Sequence, residues 1–259
     1  MPARRSRARS RTNPPAFVAP VDTAPGRPDI ARIVAPNPGP MTLAGTNTYV
    51  VGRDPAFVID PGPADAGHLE AVAAEAERRG GLGGILLTHS HRDHAAGAEG
   101  LDAAVMWGNG VTDPGPFAVV PTPGHARDHV CFVRDRACFT GDLILGEGSS
   151  IVPPDGGSLA AYLESLRSLE GLELELLCPG HGPFVTNPRA KVAEYLEHRL
   201  ERERKLVAAL DAGERSRSRL LDVAWDDVPA QLRGAAALAM QAHLEKLDAE
   251  GRLPPDLAD

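Results

Sequence analysis

Three histidines and an aspartate fall within six residues of the stretch Leu86-Leu87-Thr88-His89-Ser90-His91-Arg92-Asp93-His94. Packing does not require such a density of donors. Neutral imidazole nitrogens and a carboxylate oxygen are the ligand set that Zn2+ prefers among common cellular metals. The apolar run from Gly84 to Leu87 predicts a short buried strand, so the four donors His89, His91, Asp93 and His94 emerge at a sheet edge on a loop held by a rigid element.

A two-metal site needs more donors than these four, and the remainder are expected where other strands end in tight turns. Three places fit. His125 sits in Pro123-Gly124-His125, Asp142 in Thr140-Gly141-Asp142, and His181 in Pro179-Gly180-His181-Gly182, each after a strand-like run. A glycine beside each donor lets the backbone turn sharply and approach closely. One local design repeated three times is a far stronger signal than any single histidine.

His-x-His-x-Asp-His followed by single His, Asp and His positions resembles the metallo-beta-lactamase superfamily, over about residues 30 to 185. The resemblance implies an αββα sandwich with two Zn2+ ions per chain at one sheet edge. It further implies one zinc held by His89, His91 and His125, the second by Asp93, His94 and His181, and Asp142 bridging the two. Gly45-Thr46-Asn47-Thr48-Tyr49, Pro179-Gly180-His181-Gly182 and the stretch from Ala239 to Gly251 resemble the beta-lactamase-like endoribonucleases, in which a winged-helix-like domain follows the hydrolase domain. Two zincs about 3.5–4 Å apart lower the pKa of a bridging water and leave hydroxide at neutral pH. That hydroxide would attack a carbonyl or a phosphorus. Asp142 then sets the metal spacing and Asp93 orients the nucleophile, which makes these two the expected catalytic residues; no side chain is identifiable as general acid.

Strands are expected at Ile30 to Ala35, Thr48 to Val51, Ala56 to Asp60 and Gly84 to Leu87, then at Ala103 to Met106, Phe117 to Pro121, His129 to Val133, Ala137 to Thr140 and Leu174 to Cys178. Helical patterns run from Asp65 to Arg79, from Ser158 through Leu169, and from Asn187-Pro188 to about Asp211. Further short helical patterns occupy Ser216 to Arg252, ending with Ala236 to Leu247. The fold class expected is α+β: residues 1–28 a disordered basic tail, 29–186 the sandwich, and 187–259 a long helix plus a small helical, winged-helix-like domain.

Arg4, Arg5, Arg7, Arg9 and Arg11 lie in a stretch without acids, so the body of the chain is more acidic than the overall net charge of −8. An acidic body disfavours broad binding to phosphate backbones. The tail arginines offer a local contact to RNA or an acidic partner, and an Arg/Ser-rich opening is also compatible with a transit peptide. Cys131, Cys138 and Cys178 make no disulfide framework, no 18-residue apolar run exists, and no apolar segment follows the first arginines. The expectation is a cytoplasmic protein with no membrane contact and no evident stable protein partner.

Two substrate classes stay open, single-stranded RNA and a small ester or thioester of the kind that glyoxalase II hydrolyses. Residues 186–259 hold twelve lysines and arginines against fourteen acids, which is not the basic surface of a phosphate binder. Arg215, Arg217 and Arg219 form one local cluster. A reading from another class makes the chain a winged-helix binding module with a structural metal site, but an open site with seven donors suits chemistry better than stability. His129 is read equally as a residue behind the ligands or in contact with substrate, and as a hydrogen-bonded structural histidine. His68, His198 and His243 are expected outside the chemistry, and Cys178 as a small buried strand end.

Overall fold

A computed structural model of the protein describes residues 20–257 apart from 109, 111, 112 and 155. Its strands are β1 Val21–Ala24, β2 Arg27–Val34, β3 Asn47–Gly52, β4 Ala56–Ile59, β5 Leu82–Leu87, β6 Val105–Trp107, β7 Ala118–Pro121, β8 Val130–Arg134, β9 Ala137–Gly141 and β10 Leu176–Pro179. The α-helices are α1 Ala66–Arg78, α2 Arg92–Ala95, α3 Leu159–Glu170, α4 Pro188–Asp211, α5 Arg217–Ala224 and α6 Arg233–Ala249.

Two sheets form, a six-stranded one in the order β1-β2-β3-β4-β5-β6 and a four-stranded one in the order β10-β9-β8-β7. Alternation along each strand decides what each face meets. Ile30, Tyr49, Val51, Ile59 and Leu86 point from the first sheet to the second and meet Val130, Phe132, Phe139, Leu176 and Cys178. The intervening residues Ala31, Ile33, Val50, Val58, Ile85 and Leu87 face outward and are covered by Val72 and Ala76 of α1. On the opposite side Cys131, Cys138 and Leu177 lie beneath Tyr162, Leu163 and Leu166 of α3 and Val192 and Leu196 of α4. The layers are therefore αββα. Both faces of the central strands are covered, so β3 is buried along its whole length, its polar Asn47 and Thr48 included.

The helix starts follow from capping groups. Asp65 accepts from the backbone of His68, Ser158 from Ala161, and Asn187 from Ala190, with Pro188 at the first helical position of α4. Beyond the sandwich, Leu206 and Leu210 of α4 pack with Leu220, Leu221, Trp225, Met240 and Leu244 into a separate helical core, while Ala242 of α6 joins the core under α3. Among the described residues no helix is long and apolar enough to cross a membrane.

One expectation needs correcting. A disordered tail through residue 28 lies, for residues 1–19, outside the described residues, but Val21–Ala24 and Arg27–Pro28 are in strands. Pro25 is a turn-former here: Pro25-Gly26 makes the hairpin between Ala24 and Arg27, with Gly26 at φ 68.

Leu166 is fully buried on α3, whereas Leu172 just past that helix is 38% exposed. Leu166→Ala is expected to lower unfolding stability in urea by about 2–5 kcal/mol, and Leu172→Ala by less than about 0.5 kcal/mol. Equal losses for the two would contradict the placement of the α3 face.

Candidate metal centre

Every candidate donor emerges from one edge of the sandwich, beyond the carboxyl ends of strands. β4 and β5 run parallel, as do β9 and β10, and β7 shares the direction of β9 because both are antiparallel to β8. Asp60 follows β4; His89, His91, Asp93 and His94 follow β5; His125 follows β7, Asp142 follows β9 and His181 follows β10. Two glycines make the approach possible. A Cβ on Gly141, at φ 44, would lie 2.4 Å from Thr88 Oγ1, and one on Gly180 would lie 2.6 Å from both Asp142 Oδ1 and His94 Cε1.

The two sheets are tied together at this edge by the segment around Asn47. Its side-chain amide donates to the carbonyls of Pro179 and Gly182, both at 2.8 Å, and its backbone N–H to Gly180 at 2.7 Å. Tyr49 adds a hydroxyl donated to the Pro179 carbonyl at 2.7 Å. The turn that carries His181 is thus held by the first sheet.

Partners on the far side of four of the rings orient those histidines and select their tautomers. Thr88 Oγ1 donates to Asp60 Oδ2 at 2.7 Å, so it accepts from His89 Nδ1 at 2.9 Å. Nδ1 of His94 faces Asp60 Oδ2 at 2.9 Å, that of His125 the Ile151 carbonyl at 2.6 Å, and that of His181 the Gly45 carbonyl at 3.2 Å. With Nδ1 donating in all four, the Nε2 atoms present lone pairs inward.

Those lone pairs converge in two groups. In the first, His91 Nδ1 lies 3.0 Å from Nε2 of both His89 and His125, and one proton can satisfy only one of them. In the second, Nε2 of His94 and His181 are 3.3 Å apart, with Asp142 Oδ1 at 3.3 and 3.4 Å and Asp93 Oδ2 at 3.6 and 3.3 Å respectively. Asp142 Oδ2 also reaches His125 Nε2 at 3.6 Å, so this carboxylate spans both groups. The sets His89, His91, His125, Asp142 and Asp93, His94, His181 each bring their donor atoms close enough to hold one ion. A cluster of acceptors aimed at one another, with Asp142 Oδ1 lacking a hydrogen-bond partner, fits a pair of cations.

Electrostatics agree with that fit. Burial drives the pKa of His89 well below its ordinary value, and its histidine neighbours push the same way, which keeps its lone pair free. Burial also opposes charge on His94 and His181, but Asp142 with Asp60 or Asp93 overcomes it, raising His94 well above the usual range and His181 to about 9. Asp142 resists ionisation through burial, yet His94 and His181 hold it well below the usual carboxylate range. The second group is therefore avid for positive charge, which a proton or a divalent ion supplies.

Asp60 escapes a sequence reading that treats it as the end of a strand. It is 2% exposed, receives the backbone and hydroxyl of Thr88 at 2.8 and 2.7 Å, and orients His94. The available signal is an acid directly after an apolar strand and before Pro61-Gly62. His68 is buried behind it, meeting Thr48 Oγ1 at 2.8 Å, and Thr48 donates to the Asp60 carbonyl. His129 is buried behind His89, with Nδ1 on Thr122 Oγ1 at 2.8 Å, and burial lowers its pKa to about 3, as for a neutral structural histidine. His198 and His243 lie on α4 and α6, outside both donor sets. Cys178 is core, its thiol pKa raised by burial.

A family model described as Metallo-beta-lactamase superfamily matches residues 41–109 and 108–181, and one described as Beta-lactamase associated winged helix domain matches residues 217–253, where the described α-helices are α5 and α6. The chain is 32% identical over 259 aligned residues to an atrochrysone carboxyl ACP thioesterase of Aspergillus fumigatus, covering 90% of this chain and 76% of that protein. It is 31% identical to a beta-lactamase-like protein 2 homolog of Caenorhabditis elegans, covering 86% and 85%. With the lactamase-like protein adaB of Aspergillus niger it shares 36% identity over 74% of its own length but only 66% of that protein's. A metallo-beta-lactamase family protein from Thermus thermophilus has the same fold, with a TM-score of 0.69 at 22% identity over 88% of this chain and 95% of that one. The ordered ligand motifs, the αββα layers and these matches converge: the chain belongs to the metallo-beta-lactamase superfamily and carries that family's associated winged helix domain.

Proposed function

We propose that the protein is a di-zinc hydrolase that cleaves a small acyl thioester. The observation that carries the hydrolase reading is the inward convergence of lone pairs from His89, His91, His94, His125 and His181 onto Asp93 and Asp142. His89, His91 and His125 would hold one ion, Asp93, His94 and His181 the other, with Asp142 between them. When bound, the two ions supply Lewis acidity and bring the ionisation of water towards neutral pH.

The chain's own residues set the geometry for that chemistry. Asp60 and the carbonyls of Gly45 and Ile151 hold His94, His181 and His125 in one tautomer each and keep their rings from turning. Asp142 is buried between the donor sets, while Asp93 is partly exposed at their edge. A cleft of about 300 Å3 opens beside His91 and His125, walled by Ser90, Ala126, Arg127, Asp128 and Pro153, and is the proposed acyl site. A larger cavity of about 590 Å3 lies along β6 and touches none of the candidate donors, so it is not assigned to substrate.

The choice of thioester over RNA rests on the C-terminal arginines and on a relative's name. Arg215 binds Asp256 at 2.9 Å, Arg217 binds Gln241 at 2.7 Å, and Arg219 lies 3.8 Å from Glu214. Partners within the domain neutralise or occupy this cluster, which lowers its value to a phosphate backbone. The Aspergillus fumigatus relative is named a thioesterase.

Two outcomes are expected. Full-length protein loaded with zinc should turn over a generic acyl thioester and leave labelled single-stranded RNA intact, and Asp142→Ala should reduce the thioester rate more than 100-fold, a larger loss than the roughly 10- to 100-fold typical of outer ligand partners. Cleavage of the RNA alone would replace the substrate assignment, and an undiminished rate in Asp142→Ala would remove the site. Asp60→Ala should weaken zinc binding by roughly 10- to 100-fold in a competition titration, because His94 loses its orienting acceptor. Unchanged affinity would show that Asp60 does not set the ligand.

A further inference from the structure

Arg199 of α4 is 4% exposed and forms no ion pair with an acid among the described residues. Holding a guanidinium in a core is costly unless its donors are used. One is: Nη2 donates to the carbonyl of Ser150, and the guanidinium lies over Tyr162 with Cζ 5.3 Å from the ring centre, while Nε has no partner.

Ser150, itself buried, is where the metal centre and the C-terminal helices meet. Its Oγ donates to the Asp142 carbonyl at 2.5 Å and lies 3.4 Å from His125 Nδ1, and the next carbonyl, that of Ile151, takes the His125 Nδ1 proton at 2.6 Å. The loop from Leu143 to Ile151 is gripped at three points. Tyr162 donates to the Leu143 carbonyl at 2.5 Å, the Tyr195 hydroxyl accepts from Leu145 and donates to Gly148, both at 3.0 Å, and Arg199 holds the end that adjoins His125. Less than one helical turn further along α4, Arg202 donates to the Ala224 carbonyl of α5 and pairs with Asp227.

We propose that Arg199 is a positioning residue for the metal centre: by fixing the backbone at Ser150 and Ile151 it sets the ring of His125, and so couples the C-terminal helical unit to one of the two ions. The inference rests on the two-ion reading given above. A role confined to packing would weaken the whole fold evenly. A positioning role weakens the ion held through His125 and leaves the one held through Asp93, His94 and His181.

Metal-stripped full-length protein titrated with zinc against a chromophoric chelator separates these. Wild type is expected to take two ions. Arg199→Met is expected to bind one of them roughly 10- to 100-fold more weakly and the other as before, and Arg199→Lys to recover most of the loss because its ammonium still reaches the carbonyl. Unchanged affinity for both ions in Arg199→Met overturns the proposal, as does an equal weakening of both that tracks a lower melting temperature. Should Arg199→Met fail to fold, Arg199→Gln, which stays polar but is two atoms too short to reach the Ser150 carbonyl, is read by the same two outcomes. Absence of zinc binding by wild type would instead refute the two-ion site on which the inference stands.

Discussion

Imidazole nitrogens and carboxylate oxygens are crowded together at 3.0–3.6 Å with no apolar group between them, and the edge of the sandwich is built to hold them there. Four of the inward imidazoles are opposed by an outward hydrogen bond to a group the fold has already fixed: Asp60 for His94, Thr88 for His89, Ile151 for His125 and Gly45 for His181. A side chain free to rotate would turn its lone pair to solvent. Preorganisation of this kind costs stability in the metal-free chain and yields affinity for cations.

The need to bring donors from both sheets to one edge accounts for features that are otherwise unrelated. Parallel pairing of β4 with β5 and of β9 with β10 places loop starts side by side. Asn47 and Tyr49 join the first sheet to the turn at Pro179, so His181 is set relative to His94 rather than to its own strand alone. Gly180 must lack a side chain because Asp142 and His94 occupy the space. The helical unit beyond the sandwich enters the same account through Arg199 and Tyr195, which hold the loop between Asp142 and Ile151.

Much of this was legible in the sequence, and the rest was hidden for definable reasons. All seven candidate donors could be read because each is a ligand-type residue beside a glycine or within a dense cluster directly after an apolar strand. Helix starts at Asp65, Ser158 and Asn187 were visible through their caps. Asp60 was not, since a single acid at a strand end has many uses and its meaning lies in contacts with Thr88 and His94, 28 and 34 positions away. Ser150 and Arg199, 49 positions apart, meet only because α4 packs on α3 and the loop after β9. The β1–β2 hairpin was masked by Pro20, Pro25 and Pro28, which suggest a tail to a compositional reading and make a turn and strand start in the fold.

Substrate choice depends on the cleft beside His91 and His125, whereas the hydrolase claim depends on the donors alone. Its most direct test is the zinc content of the full-length protein after purification without chelators and dialysis against metal-free buffer, measured by atomic emission. Two zinc ions per chain in the wild type, falling to one or fewer when His94 and His181 are both replaced by alanine, is the result this account predicts. A wild type with no retained zinc, or two ions still bound after both histidines are gone, would contradict it.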